Sequence, residues 1–180
     1  MSETRPDPRP LIGEPLSLDL LNTRWVDGTP RDLLSDTAGL ATWLRSAGLH
    51  RCVADDATLR AVRRARDALA AAVAGDGTAL DEVLDHGRLR LCLRDGVPAE
   101  DVEAAPAHLP GWLAARDYLD LLRRGPDRIR ACSGPSCVLH FYDTSKNGRR
   151  RWCSMTGCGN RAKAHRHYAR TRPDRHGAPA

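Results

Sequence analysis

Four of the six cysteines in this 180-residue chain form two matched pairs. Cys132 and Cys137 enclose four residues, Cys153 and Cys158 enclose four more, and fifteen residues separate the pairs. Thiolate is a soft ligand, and zinc takes four such ligands as a tetrahedron when two short-spaced pairs fold together. Ser133, Gly134 and Ser136 in the first interval, and Ser154 and Gly157 in the second, suit tight turns wrapped around an ion. Four protein ligands leave no open coordination position, so one structural Zn²⁺ is expected, with no role in activating water. Cys52 and Cys92 stand outside the pattern and read as small buried hydrophobes.

The elements that must bring the pairs together are legible nearby. Residues 138–142 read as a short strand rich in β-branched and aromatic side chains. Residues 143–148 form a turn ending in Asn147-Gly148, and residues 149–152 return as a second strand into Cys153. Residues 160–170 contain neither Gly nor Pro and read as a helix that stops before Pro173. The dipole at its N-terminus favours Cys158 as a thiolate. Knuckle, β-hairpin, knuckle and helix together make a treble-clef-like zinc finger. A module of about forty residues buries too little apolar surface to fold unaided, so the metal must contribute about 10 kcal/mol or more.

These residues also carry a family resemblance. The stretch CVLHFYDTSKNGRRRWCSMTGCGNRAKAHRHYAR resembles the CGNR zinc finger, whose name-giving tetrapeptide is here Cys158-Gly159-Asn160-Arg161. The segment Leu18-Asp19-Leu20-Leu21-Asn22-Thr23 is similar to the opening of the ABATE-type domain that commonly precedes this finger. Together the two cover nearly the whole chain and imply a nucleic-acid-binding transcriptional regulator, alanine-rich and responsive to stress. His140 departs from the pattern, which leads one to expect an apolar residue there.

Charge separates the same two parts. The chain is net +5, yet residues 132–180 hold ten Lys/Arg against two Asp, and the first 131 residues hold 18 Lys/Arg against 21 Asp/Glu. Lys146, Arg149 and Arg151 cluster on the expected hairpin; Arg161, Lys163, Arg166 and Arg170 line the expected helix. Alternation puts Arg150 and Trp152 on the opposite hairpin face, where they brace the module. Phe141, Tyr142, Trp152 and Tyr168 read as its apolar cover, and His165 and His167 as solvated or phosphate-facing, since the sulfurs already complete the metal site. A cationic surface on a rigid scaffold points to a nucleic-acid partner, with DNA preferred to RNA. An RNA-binding module, or an adaptor docking an acidic protein, would use the same charges.

The first part reads as a mainly α domain. Residues 1–15, with four prolines, are expected to be a mobile lead-in, 16–125 a helical ABATE-like domain, 126–131 a linker, 132–172 the finger and 173–180 a mobile tail. A helix over 16–25 is expected, capped by Ser17. Asp19, Asn22, Thr23 and Arg24 gather beside its apolar face, either as the lip of a small-ligand pocket or as braces for neighbouring backbone. Leu40, Trp43, Leu44 and Ala47 recur at helical spacing after Asp36, as do Leu59, Val62, Ala65, Leu69 and Val73 after Asp55-Asp56. Arg60, Arg63, Arg64 and Arg66 read as the solvated face of that second helix. A short helix follows Thr78, a strand spans 88–94 with Pro98 confining its partner to an edge, and an amphipathic helix runs from Pro110 to Gly125. His86 and His108 are given no metal role.

No apolar run follows a basic start, and no stretch of eighteen apolar residues exists, so a cytoplasmic protein without a membrane segment is expected. No nucleophile–base pair, phosphate loop or carboxylate constellation is visible, so no enzyme is expected. A small-molecule effector or homodimer formation would fall to the helical domain.

Overall fold

The computed structural model describes residues 6–164. Helix α1, Leu16–Leu21, starts after Pro15 with no side-chain cap. Ser17 does not cap it: its N–H and hydroxyl both donate to Asp117, at 2.9 and 2.6 Å. The helix ends at Asn22, short of Trp25. An unforeseen hairpin follows, β1 (Arg24–Asp27) against β2 (Thr29–Asp32), turning at Gly28 with φ 68°. Asp27-Gly28 is a hairpin signal in its own right, and it overrides the leucine periodicity running up to Trp25.

The next helices start where side-chain caps direct. Asp36 accepts from Gly39 N to open α2 (Thr37–Ser46), and Asp55 accepts from Thr58 N to open α3 (Asp56–Val73). Leu40, Trp43, Leu44, Leu59, Val62, Ala65 and Leu69 are buried, as their spacing requires. Helix α4 (Thr78–Leu84) and helix α5 (Leu109–Arg124) pack on α3, and α5 also packs on α1. The close approach of α5 to α3 depends on Gly111, where a β-carbon would lie 2.7 Å from Ala65 Cβ.

Two arginines of the expected solvated face do other work. Arg66 is only 1% exposed; its Nη1 and Nη2 meet the Asp32 carboxylate at 2.6 and 2.8 Å, and Nη1 also donates to Thr23 Oγ1. Arg63 donates to the Leu34 and Ser35 carbonyls, each at 2.7 Å. Helical spacing cannot foretell this, because the long arginine stem lets the charged head reach a carboxylate on a different element.

Strands β3 (Gly87–Arg94) and β4 (Val97–Ala104) pair as a two-stranded arm with Pro98 opposite Leu93. The period-2 pattern holds, yet among the described residues no element covers the outer part of its leucine face: Leu91 is 79% and Leu93 74% exposed. The opposite face is zipped by Arg88, Arg90 and Arg94 to Asp101 and Glu103. The segment before α1 is also tied down. Arg9 is buried between Asp7 (2.7 Å) and Asp19 (2.9 Å), and Gly13 N donates to Asp19, so residues 7–15 strap the helices.

The expected linker is part of the finger. Strand β5 (Ile129–Ala131) pairs antiparallel with β6 (His140–Tyr142), and the first cysteine pair sits at the tip of that hairpin. Residues 149–152 form no strand. Arg150 holds them in a loop, donating to the Trp152 and Cys153 carbonyls at 3.0 and 2.6 Å and standing 4.1 Å over the Phe141 ring. Buried Asp143 accepts from Ser145 N and Arg150 N and closes the preceding turn. A wide π-helical turn, Met155–Gly159, leads into helical residues 160–164. The remainder of the expected helix, with His165, Arg166, His167, Tyr168 and Arg170, lies outside the described residues, as does the expected tail 173–180.

Candidate metal centre

Local hydrogen bonds shape both knuckles. Cys132 N donates to Leu139 O and Cys137 N to Gly134 O, which closes the first loop across the β5–β6 hairpin. Ser154 accepts from Gly157 N through its side chain and from Gly159 N through its carbonyl, which winds the second. Ser133 N donates to Arg151 O at 2.9 Å and draws the two loops together.

The four sulfurs therefore converge, all within 4.8 Å of one another. Cys137 and Cys153 Sγ are 3.8 Å apart, and Cys153 and Cys158 Sγ are 3.6 Å apart. A tetrahedral zinc with bonds of about 2.3 Å separates its sulfurs by about 3.8 Å, so the residues fit the ion. A disulfide would need about 2.05 Å, and all four thiols are free. Cys153 N also donates to Cys132 Sγ at 3.3 Å, the type of outer contact that orients a thiolate ligand. Gly134 is the close-packed position: a β-carbon there would come within 3.2 Å of Cys158 Sγ and 3.0 Å of Cys137 Cβ.

Electrostatics of the sulfurs alone are uneven. Burial pushes the Cys137 thiol up to about 11 and raises Cys153 as well. Burial also acts upward on Cys158, but the hydrogen bond from Arg161 Nη2, 3.1 Å from its sulfur, and the neighbouring sulfurs outweigh it and hold this thiol below its ordinary value. A dication supplies the charge that deprotonates the remaining thiols.

Residues 14–125 match the ABATE family, described as "Putative stress-induced transcription regulator". The chain belongs to the ABATE family. Residues 128–171 of this ABATE protein match the CGNR zinc finger, starting just ahead of β5. The search of curated proteins found no match to this chain. The finger holds one structural zinc ion through Cys132, Cys137, Cys153 and Cys158.

Around the zinc site, Lys146, Arg149, Arg151, Arg161 and Lys163 are exposed, and none makes an ion pair with a described carboxylate. Arg151 lies 5.3 Å from the Trp152 ring, and Arg161 is partly committed to Cys158. Arg150 is set apart by its bonds to Trp152, Cys153 and Glu14.

The polar group at the end of α1 divides. Asp19, Asn22 and Thr23 are buried braces of the ABATE domain: Asp19 accepts from Trp43 Nε1 and Arg9, and Thr23 donates to Leu20 O. Arg24 faces a cavity, and it pairs with Asp32 and Asp67. Asn22 has a task that sequence reasoning missed. Its amide donates to His140 O (2.9 Å) and accepts from His140 N (2.8 Å), clamping the finger strand β6 to the ABATE domain. Glu14 adds a second clamp through Tyr142 N and Arg150. Partners 118 and 128 positions apart leave no local signal in a sequence.

Proposed function

We propose that this ABATE protein is a DNA-binding transcription regulator acting in the cytoplasm. Its finger grips phosphates through Lys146, Arg149, Arg151, Arg161 and Lys163, joined by Arg166 and Arg170 beyond the described residues. The domain over residues 16–125 senses a small ligand or self-associates. The observation that carries this reading is the contrast in charge pairing. About half of the ABATE domain's arginines are spent on its own carboxylates, among them Arg24, Arg66, Arg88, Arg90, Arg94 and Arg116. The exposed cations of the finger have no described carboxylate partner. Unpaired charges fixed on a zinc-built scaffold are what a polyanion recruits, through release of its counterions.

Titration of duplex DNA and structured RNA side by side tests it. If about six phosphates are neutralised, log K for duplex DNA falls with log salt at a slope of about −5. Replacing Lys146, Arg149 and Arg151 with Ala lowers that slope by about 3 while zinc content stays at one equivalent. Arg161 is a poorer probe, because its loss also disturbs Cys158. Preference for RNA, or a slope unmoved by the triple variant, overturns the reading.

A further inference from the structure

Between the β1–β2 hairpin, α3 and the start of β6 lies a cavity of about 450 Å³, within the size range of small-molecule sites. Its apolar wall includes Trp25, Val26 and Ala70. Among the described residues, the buried side-chain nitrogens without a hydrogen-bond partner are Arg66 Nε and His140 Nδ1, and both side chains belong to this wall. The other guanidinium nitrogens of Arg66 are committed to Thr23 and Asp32. A guanidinium N–H cannot accept and does not deprotonate, so the remaining one calls for an acceptor that the chain does not supply. The wall is also cationic: Arg24, Arg31 and Arg66 line it with one carboxylate, Asp32, which pairs with Arg24 and Arg66, and the one further carboxylate paired there, Asp67, is held by Arg24.

We propose that this cavity binds a small aromatic monocarboxylate, its anionic end beside Arg24 and Arg66 and its ring against Trp25 and Val26. One net negative charge matches the charge left over, and a mainly apolar wall of this size excludes a polyphosphate. The proposal rests on reading the ABATE domain as the sensing part. It adds where sensing meets the finger. Val138 and His140 close the cavity from the finger side, immediately after the zinc ligand Cys137, and the backbone of His140 is the group Asn22 clamps. An occupant therefore touches the joint between sensor and finger.

The test is calorimetric titration of the zinc-loaded full chain with benzoate, salicylate and indole-3-acetate, with benzamide as the uncharged control. At least one acid binds with a Kd below about 1 mM, and benzamide binds at least about tenfold more weakly. Ala70 is exposed on the α3 wall, so Ala70→Phe fills the cavity without entering the core and weakens the acid at least about tenfold, with zinc content unchanged. Arg24→Ala weakens the acid and leaves benzamide where it was. Absence of binding by all three acids, equal binding of the amide, or an unaffected Ala70→Phe variant overturns the site. Duplex DNA titrated against the same preparation separates the two readings: DNA binding without acid binding removes this site alone, and acid binding without DNA binding removes only the finger's proposed role.

Discussion

Replacing Asn22 with Leu strips the amide that holds His140 and leaves a side chain of similar size in its place. Asn22 is 0% exposed, and its two bonds to the His140 backbone are 2.9 and 2.8 Å long. Strand β6 faces β5 on one side only, so neither group has a second described partner waiting. Each unsatisfied backbone group costs about 1–3 kcal/mol, so the variant, which orphans two, should lose about 2–6 kcal/mol. Asn22→Asp should fare no better: it keeps an acceptor for His140 N but turns a carboxylate oxygen toward His140 O. Urea unfolding at saturating zinc, followed by tryptophan fluorescence, measures the loss. Metal analysis should still find one equivalent of zinc, because no sulfur is touched. A loss below about 0.5 kcal/mol in both variants would refute the claim that this amide joins the two parts.

Cys153→Ser should release the zinc and unfold the finger, and one retained equivalent by metal analysis would contradict the four-sulfur site. Gly134→Val, which alters no charge, should weaken zinc binding in a chelator competition, since its β-carbon enters the 3.2 Å space beside Cys158 Sγ. Arg66→Met should cost about 2–3 kcal/mol in the same urea assay, less than a fully buried pair because the Asp32 side chain stays 34% exposed. The Asp32 carboxyl is pushed up by burial but held below its ordinary 3.8 by its hydrogen bonds and charge contact with Arg66, helped by Leu34 N and Arg24. Its depressed value contributes stability above pH 3.8 that is lost as pH falls through the folded value, so Arg66→Met should flatten acid unfolding in that window. An acid limb as steep as that of the parent protein would sink that account.

Much of this protein is local, and local features were legible. Asp36 and Asp55 mark helix starts because an N-cap is a contact between residues three apart. The four cysteines announce a zinc site because ligand chemistry and spacing are written along the chain. Arg150 does brace the finger, but through loop bonds to the Trp152 and Cys153 carbonyls and not through the strand alternation that suggested it, since residues 149–152 form no strand. Where a single stretch carried two local signals, as at Leu16 to Gly28, the leucine periodicity masked the Asp-Gly turn that in fact decides the backbone.

The residues themselves determined the zinc ligands, the sites of the main helices and the concentration of positive charge in the finger. Only the tertiary structure decided that Arg66 is buried on Asp32 and that Asn22 and Glu14 hold the finger in place. The reason is sequence distance: pairs 34 to 128 positions apart meet only once the helices have packed, and nothing in the local order of side chains encodes which distant group they reach.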